Sequence, residues 1–411
     1  MECDLNDPAL VLRDDVLEDP RPFYDTLRRE APVWQIPGQD TYLVSDPALI
    51  REAVGRPDDF SSNLVSLLHD DGRGCPVAFQ ISRYRDPVHV LATADPPLHA
   101  QHRRLLQPHL SPAAVAALEP RVAGIVDEQL TQMLAARRVD AVRTFSDPVP
   151  ARTICALIGL PQEDAPRVIE LVTDTGALLD GVTDLLGIHR AAGSALELTV
   201  YVHDQLHATL ERSVAQRTGL LGVFAEAIEA GVVTADEVRD MLVVLVSAGS
   251  ETTASLIATA VETLARDPDL QARLRRDPGR IPDAIEEILR TDGPFQFHYR
   301  YTPADTTLGD TSIPARSRVL LMWAAANRPL SGPLTNPAPA DAGGPAAHFA
   351  FGKGMHFCIG APVARLEARI AVEQLLARTT TIALDPERPP IRRPSIFIRR
   401  HRSLPVTLQE A

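Results

Sequence analysis

Lysine is almost absent from this chain: of 41 basic residues, all but Lys353 are arginine. Arginine has GC-rich codons and lysine does not, so the bias describes the gene before it describes a function. Cysteine is sparse too. Cys3, Cys75, Cys155 and Cys358 stand apart with no CxxC pair, which excludes a disulfide framework or zinc knuckle and fits a reducing compartment. No apolar run approaches the roughly 18 residues of a membrane span. The acidic start MECDLNDPALVLRDD lacks the basic region of a signal peptide, so a cytoplasmic protein with no membrane span is expected. A formal net charge of −13 argues against nucleic acid as a main partner, although a local basic patch could still serve a partner protein. With 411 residues, no internal repeat and no long linker, one helix-rich domain spanning 1–411 is expected.

What is present centres on Phe349–Arg378, FAFGKGMHFCIGAPVARLEARIAVEQLLAR. Gly352, Gly354 and Gly360 punctuate a loop around Cys358, and Pro362 opens an apolar-periodic helix. A cysteine at a helix entrance meets the positive end of the dipole, which lowers its pKa and suits an anionic metal ligand. The same cysteine also fits a small buried hydrophobe.

Upstream, residues 1–18 read as an extension and 19–60 as a small mixed subregion, with TYLVS as strand and DPALIREAVG as helix. Residues 58–94 read as a long loop with short helical pieces, and such loops are usually functional. From Asp95, DPPLHAQHRRLL reads as a helix with His99 and Arg103 four apart, either facing one anion or simply solvated. Thr234 and Glu237 form a capping box for a helix over 235–266, about 48 Å long, which must cross the molecule. Its middle, LVVLVSAGSETTASLIA, is apolar except for Ser250, Glu251, Thr252 and Thr253. There Ala248-Gly249 keeps the surface low for a ligand while Glu251-Thr252 supplies an acid and an alcohol; alternatively the threonines bond back and Glu251 reaches the surface. IPDAIEEILRTDGP reads as a helix with Glu287 and Arg290 three apart, followed by short strands with a hairpin near Gly309. PSIFIRRHRSLPVTL reads as a terminal strand pair.

The order Phe351, Gly354, His356, Cys358, Gly360 resembles the haem-ligand signature of the cytochrome P450 family, and the resemblance runs from about Asp19 to the C-terminus. It implies a mainly α fold with small β-sheets, a triangular-prism-like domain with a long central helix. It implies haem b (iron protoporphyrin IX) with Cys358 as axial thiolate and a cofactor loop and helix at 349–378. His99, Arg103, Arg300 and His356 would meet the propionates, with Phe351, Gly352, Gly360, Ala248 and Gly249 against the cofactor. Glu251-Thr252 looks like the oxygen-activation motif, and Glu287 and Arg290 look like the structural E-x-x-R pair. Val244, Ala248, Phe295, Phe297, His298 and Ile396 would line the substrate pocket, with Phe397 also in reach. The implied activity is a monooxygenase that uses O₂ and electrons from a separate ferredoxin and ferredoxin reductase to oxidise an apolar small molecule, as a monomer. Ferredoxin would dock near Lys353. Readings of other kinds are a peroxide-driven haem oxidase, a haem protein without turnover acting as a sensor or decayed enzyme, and zinc on His356 and Cys358.

One stretch departs from the pattern. Residues 329–347, PLSGPLTNPAPADAGGPAA, carry no arginine, lysine or aromatic residue where the family closes a triad with the E-x-x-R pair. A compensated frameshift in a GC-rich gene would produce such a stretch. His348 is the nearest substitute for the missing partner.

Overall fold

The computed structural model describes residues 3–81, 88–136, 138–329 and 347–411. The 329–347 stretch therefore lies almost wholly outside the described residues.

The N-terminal part contains α1 (Asp14–Glu18), α2 (Arg21–Glu30), β1 (Val33–Gln35), β2 (Thr41–Val44) and α3 (Pro47–Val54). Asp46 starts α3, its Oδ1 accepting from the N–H groups of Ala48 and Leu49 at 2.8 and 3.1 Å, with Pro47 at the first helical position. Next come β3 (Ser66–Asp70), β4 (Pro76–Gln80) and α4 (Leu98–Leu106). The expected loop over 58–94 is thus built around a β-hairpin. Asp70 accepts from Gly72 N and Gly74 N, Asp71 accepts from Arg73 N and Cys75 N, and the two glycines take φ of +84°. This turn chemistry fixes a hairpin that propensity alone does not announce.

The helical body runs through α5 (Pro112–Leu134), β5 (Arg138–Asp140), α6 (Pro148–Ile158), α7 (Ala165–Gly176), α8 (Leu185–Leu210), α9 (Gly219–Glu229) and α10 (Ala235–Arg266). It continues with α11 (Pro268–Arg276), α12 (Ile281–Asp292), β6 (His298–Tyr301), β7 (Thr306–Leu308), β8 (Thr311–Ile313), β9 (Arg318–Leu321) and α13 (Trp323–Ala326). From residue 347 on come α14 (Ala361–Arg378), β10 (Thr379–Leu384), β11 (Ile391–Arg392), β12 (His401–Ser403) and β13 (Pro405–Glu410).

The helix α10 has the expected bounds. Thr234 Oγ1 accepts from Glu237 N at 3.2 Å and the Glu237 carboxylate accepts from Thr234 N at 2.7 Å, while Asp267-Pro268 ends the helix and begins α11. By length and composition α10 could cross a membrane, but it is mostly buried among α6, α7, α8, α12 and α14. Its apolar residues belong to the largest core, with Phe145, Ile154, Phe224 and the inner face of α14.

Four strands form a sheet in the order β1-β2-β9-β6, where β2 and β9 are parallel and the other pairs antiparallel. It packs against α1 and α2 in a second core. The hairpin β7–β8 turns at Gly309, φ +56°. The expected terminal strand pair does not form: β12 pairs with β11, and β13 lies between β10 and β5. Pro405, at the start of β13, is paired opposite Asp140.

Candidate functional site

The loop between Phe349 and Gly360 is folded by its own backbone. Gly352 N donates to Phe349 O at 2.8 Å and Cys358 N to Phe351 O at 2.9 Å. Gly352 and Gly354 take φ of +71° and +75°, which only glycine adopts cheaply. Cys358 is half-buried, with the N–H groups of Gly360 and Ala361 at the start of α14 bonding its sulfur. Burial nevertheless pushes the thiol up from its ordinary value, against the pull of those N–H groups, Arg103 and Arg365. The expected lowering is therefore reversed, because desolvation of a thiolate outweighs a helix end. A metal bound to the sulfur would deprotonate it outright.

Beside this loop four basic side chains gather. His99, on α4, is buried with its ring 4.1 Å from that of His356. His356 Nε2 shares a hydrogen bond with Ser62 Oγ at 2.9 Å, and its Nδ1 is buried without a partner among the described residues. Arg103 Nη1 donates to Phe357 O at 2.8 Å, so α4 is tied to the cysteine loop. Arg300, 6% exposed, donates to Tyr299 O at 2.7 Å and to no other described residue. None of the four pairs with a carboxylate among the described residues. Asp95 acts on Arg300 at longer range but is held by Ser61 and Ser62. Burial brings Arg300 down to about 10; burial, then the charge of Arg300, brings His356 down to about 3.

A buried arginine without a counter-ion, with the partly buried Arg103 near it, calls for an anion. A small cleft lined in part by Ser62, Arg300, Lys353 and His356 opens beside two of them. No group of three or more His, Cys, Asp and Glu side chains among the described residues is placed to hold a metal, which leaves zinc on His356 and Cys358 without its remaining ligands. A metal on Cys358 must bring its other ligands with it. One sulfur, an orphaned imidazole nitrogen and unpaired cations together fit an iron porphyrin with two carboxylates.

Ala248 is exposed at the middle of α10 although helices wrap that segment, so it opens onto an internal space. Gly249 packs closely on α6, where a Cβ would lie 2.9 Å from Ile154 Cδ1. Thr252 Oγ1 donates back to Ala248 O at 2.6 Å. Glu251 does not reach the surface. At 8% exposure, its Oε1 meets Arg393 at 3.3 Å and Arg400 at 3.1 Å. Arg393 in turn holds Asp180 at 2.6 Å and Arg400 holds Asp147 at 2.8 Å; burial raises both aspartates to about 6. Arg393 and Arg400 escaped the sequence reading, where their only signal was two arginine pairs flanking PSIFI.

Glu287 and Arg290 form a two-pronged pair at 2.6 and 2.8 Å. Arg290 also donates to Asn327 O at 3.1 Å, and Asn327 Oδ1 accepts from Phe349 N at 2.7 Å, so the pair is linked to the root of the cysteine loop. His348 does not complete it. It bonds Glu286 at 3.1 Å, which Arg365 also holds at 2.6 Å, while Arg365 covers the Phe351 ring at 4.5 Å. Of the expected pocket residues, Val244, Phe295, His298 and Ile396 are partly open and Ala248 is exposed. Phe297 is not open: at 1% exposure it packs on Tyr299 and Phe397 in the second core, because side chains alternate along a strand and His298 and Arg300 take the other face. Ile396 packs on Gly181, between α7 and α8, where a Cβ would sit 2.5 Å from its Cδ1.

The sequence profile described as Cytochrome P450 matches residues 279–403. The chain is 36% identical over 371 residues to "Cytochrome P450 144" of Mycobacterium tuberculosis, covering 89% of this chain and 84% of that protein. It is 32% identical to the "Beta-dihydromenaquinone-9 omega-hydroxylase" of the same organism, over 92% of this chain and 72% of the other. Among solved structures, ligand-free CYP164A2 of Mycobacterium smegmatis superposes with a TM-score of 0.84 at 28% identity, covering 97% and 98% of the two chains.

Proposed function

The chain belongs to the cytochrome P450 family and is a haem-thiolate monooxygenase, and from that premise we propose that it oxidises an apolar small molecule with O₂ and electrons from a separate ferredoxin and ferredoxin reductase. When bound, haem on a thiolate supplies the redox chemistry that favours O–O cleavage. Cys358 would hold the iron, and His99, Arg103, Arg300 and His356 would neutralise the propionates. Val244, Ala248, Phe295 and Ile396 would orient the substrate and exclude water. The relative named as a menaquinone omega-hydroxylase supports a lipid-like apolar substrate class.

The observation that carries the O₂ reading is the acid and alcohol side by side on α10, next to the open surface of Ala248. Thr252, once turned from Ala248 O, would hold a proton at its hydroxyl, and Glu251 would resupply it through water after loosening from Arg393 or Arg400. A peroxide-driven enzyme has no need of this pair.

Around the cysteine loop Lys353, Met355 and Phe357 are exposed, with Arg51 and Arg104 also at the surface. This surface offers positive charge and apolar contact to an acidic ferredoxin. We place the protein in the cytoplasm as a monomer, with the whole chain acting as one domain; all four cysteines are free, in keeping with a reducing compartment. The test is stopped-flow reduction by ferredoxin. Lys353→Glu should slow second-order reduction several-fold at low salt and little at high salt, and an unchanged rate at both would remove this docking surface.

A further inference from the structure

His298 stands apart from the apolar residues with which the sequence grouped it. Trp323 Nε1 donates to His298 Nδ1 at 2.7 Å. An indole N–H can only donate, so Nδ1 must be the acceptor, the ring is neutral and its one proton sits on Nε2. That N–H has no acceptor among the described residues and is not sealed in the core. The ring cannot easily turn, since Phe295 at 4.7 Å, Phe397 at 5.8 Å and Trp323 at 6.1 Å between centroids wall it in. His298 is therefore a fixed, uncharged donor whose Nε2–H is not used by any described residue.

Its place in β6 says where that donor faces. His298 and Arg300 are two residues apart on one strand and share a face, whereas Phe297 and Tyr299 go to the second core. Arg300 lies near enough to bear on His298, and His298 near enough to bear on His356. The donor thus belongs to the same cluster as the unpaired bases described above.

On the reading that this chain binds haem, we propose that His298 is a positioning residue for the cofactor, its Nε2–H donating to the carboxylate edge of the porphyrin, with Trp323 fixing the tautomer that makes this possible. A neutral donor adds a hydrogen bond to a carboxylate without adding another buried cation to a cluster that already repels itself. Its role is thereby removed from the substrate wall.

The test uses the haem-loaded, substrate-free protein and reads the rate of haem transfer to excess apomyoglobin and the reduction potential. His298→Phe keeps a ring and removes the donor; His298→Gln keeps both an acceptor for Trp323 and a donor on the far side. The phenylalanine variant should lose haem about ten- to a hundredfold faster and shift in potential, as loss of a hydrogen bond to a charged group requires. The glutamine variant should recover most of both. Should both variants keep the parent's transfer rate and potential, the assignment is overturned. It is also overturned if only the affinity for carbonyl- or hydroxyl-bearing ligands falls, which would make His298 a substrate donor. If the glutamine variant loses haem as fast as the phenylalanine one, packing and not the donor is responsible. Failure of the parent protein to take up haem would instead refute the haem reading itself.

Discussion

Glu367 sits on α14, nine residues beyond Cys358, at 2% exposure and with no partner for Oε2 among the described residues. The Thr153 hydroxyl beside it, which also lies 3.0 Å from Val149 O, pulls the carboxyl towards its charged form, but less strongly than burial pulls it the other way. Burial accordingly pushes Glu367 up from 4.5 to about 8. Below pH 4.5 native and unfolded states both hold the proton and nothing is lost. Between 4.5 and 8 the native state keeps a proton that the unfolded state releases, so stability falls as pH rises, by about 1.4 kcal/mol per unit. At pH 7.5, three units above the ordinary value, the cost is about 4 kcal/mol. Glu367→Gln keeps the shape and has no proton to hold. Urea unfolding followed by far-UV circular dichroism should find the glutamine variant more stable, with its advantage growing by about 3 kcal/mol from pH 5.5 to pH 8. A constant advantage across that range, or a variant less stable at pH 8, would refute the reasoning.

Breaking the Glu287–Arg290 pair by Arg290→Met should cost about 3–5 kcal/mol and loosen the cysteine loop through Asn327, read as a lower thermal midpoint and faster haem loss. Thr252→Ala should leave O₂ consumption largely intact while sending most electrons to peroxide, measured as product per O₂ consumed; tight coupling in the variant would deny the hydroxyl its part. Glu251→Gln should slow single-turnover product formation about 10²- to 10⁴-fold with ferredoxin and far less with added peroxide.

The long central helix could be read residue for residue, because a capping box at one end and Asp-Pro at the other mark it locally. Cys358, with its glycines, was legible for the same reason, as were the Glu287–Arg290 pair and the hairpin at Gly309. What escaped depends on contacts far apart in sequence. Arg393 and Arg400 reach Glu251 across some 140 residues, and no local pattern joins them. The hairpin in 58–94 hides because its turn is made by aspartate side chains, and Phe297 and His298, neighbours in sequence, part company because a strand sends them to opposite faces. The direction of the Cys358 shift was missed because a helix end is visible in sequence and depth of burial is not.

The central claim is that Cys358 is the thiolate ligand of a bound haem. The carbon monoxide difference spectrum of the dithionite-reduced protein tests it most directly. The parent should give the long-wavelength Soret band of thiolate-ligated carbonyl haem, and Cys358→His should move that band to the position of imidazole-ligated haem. A parent without the thiolate band, or a Cys358→His variant that keeps it, would contradict the account.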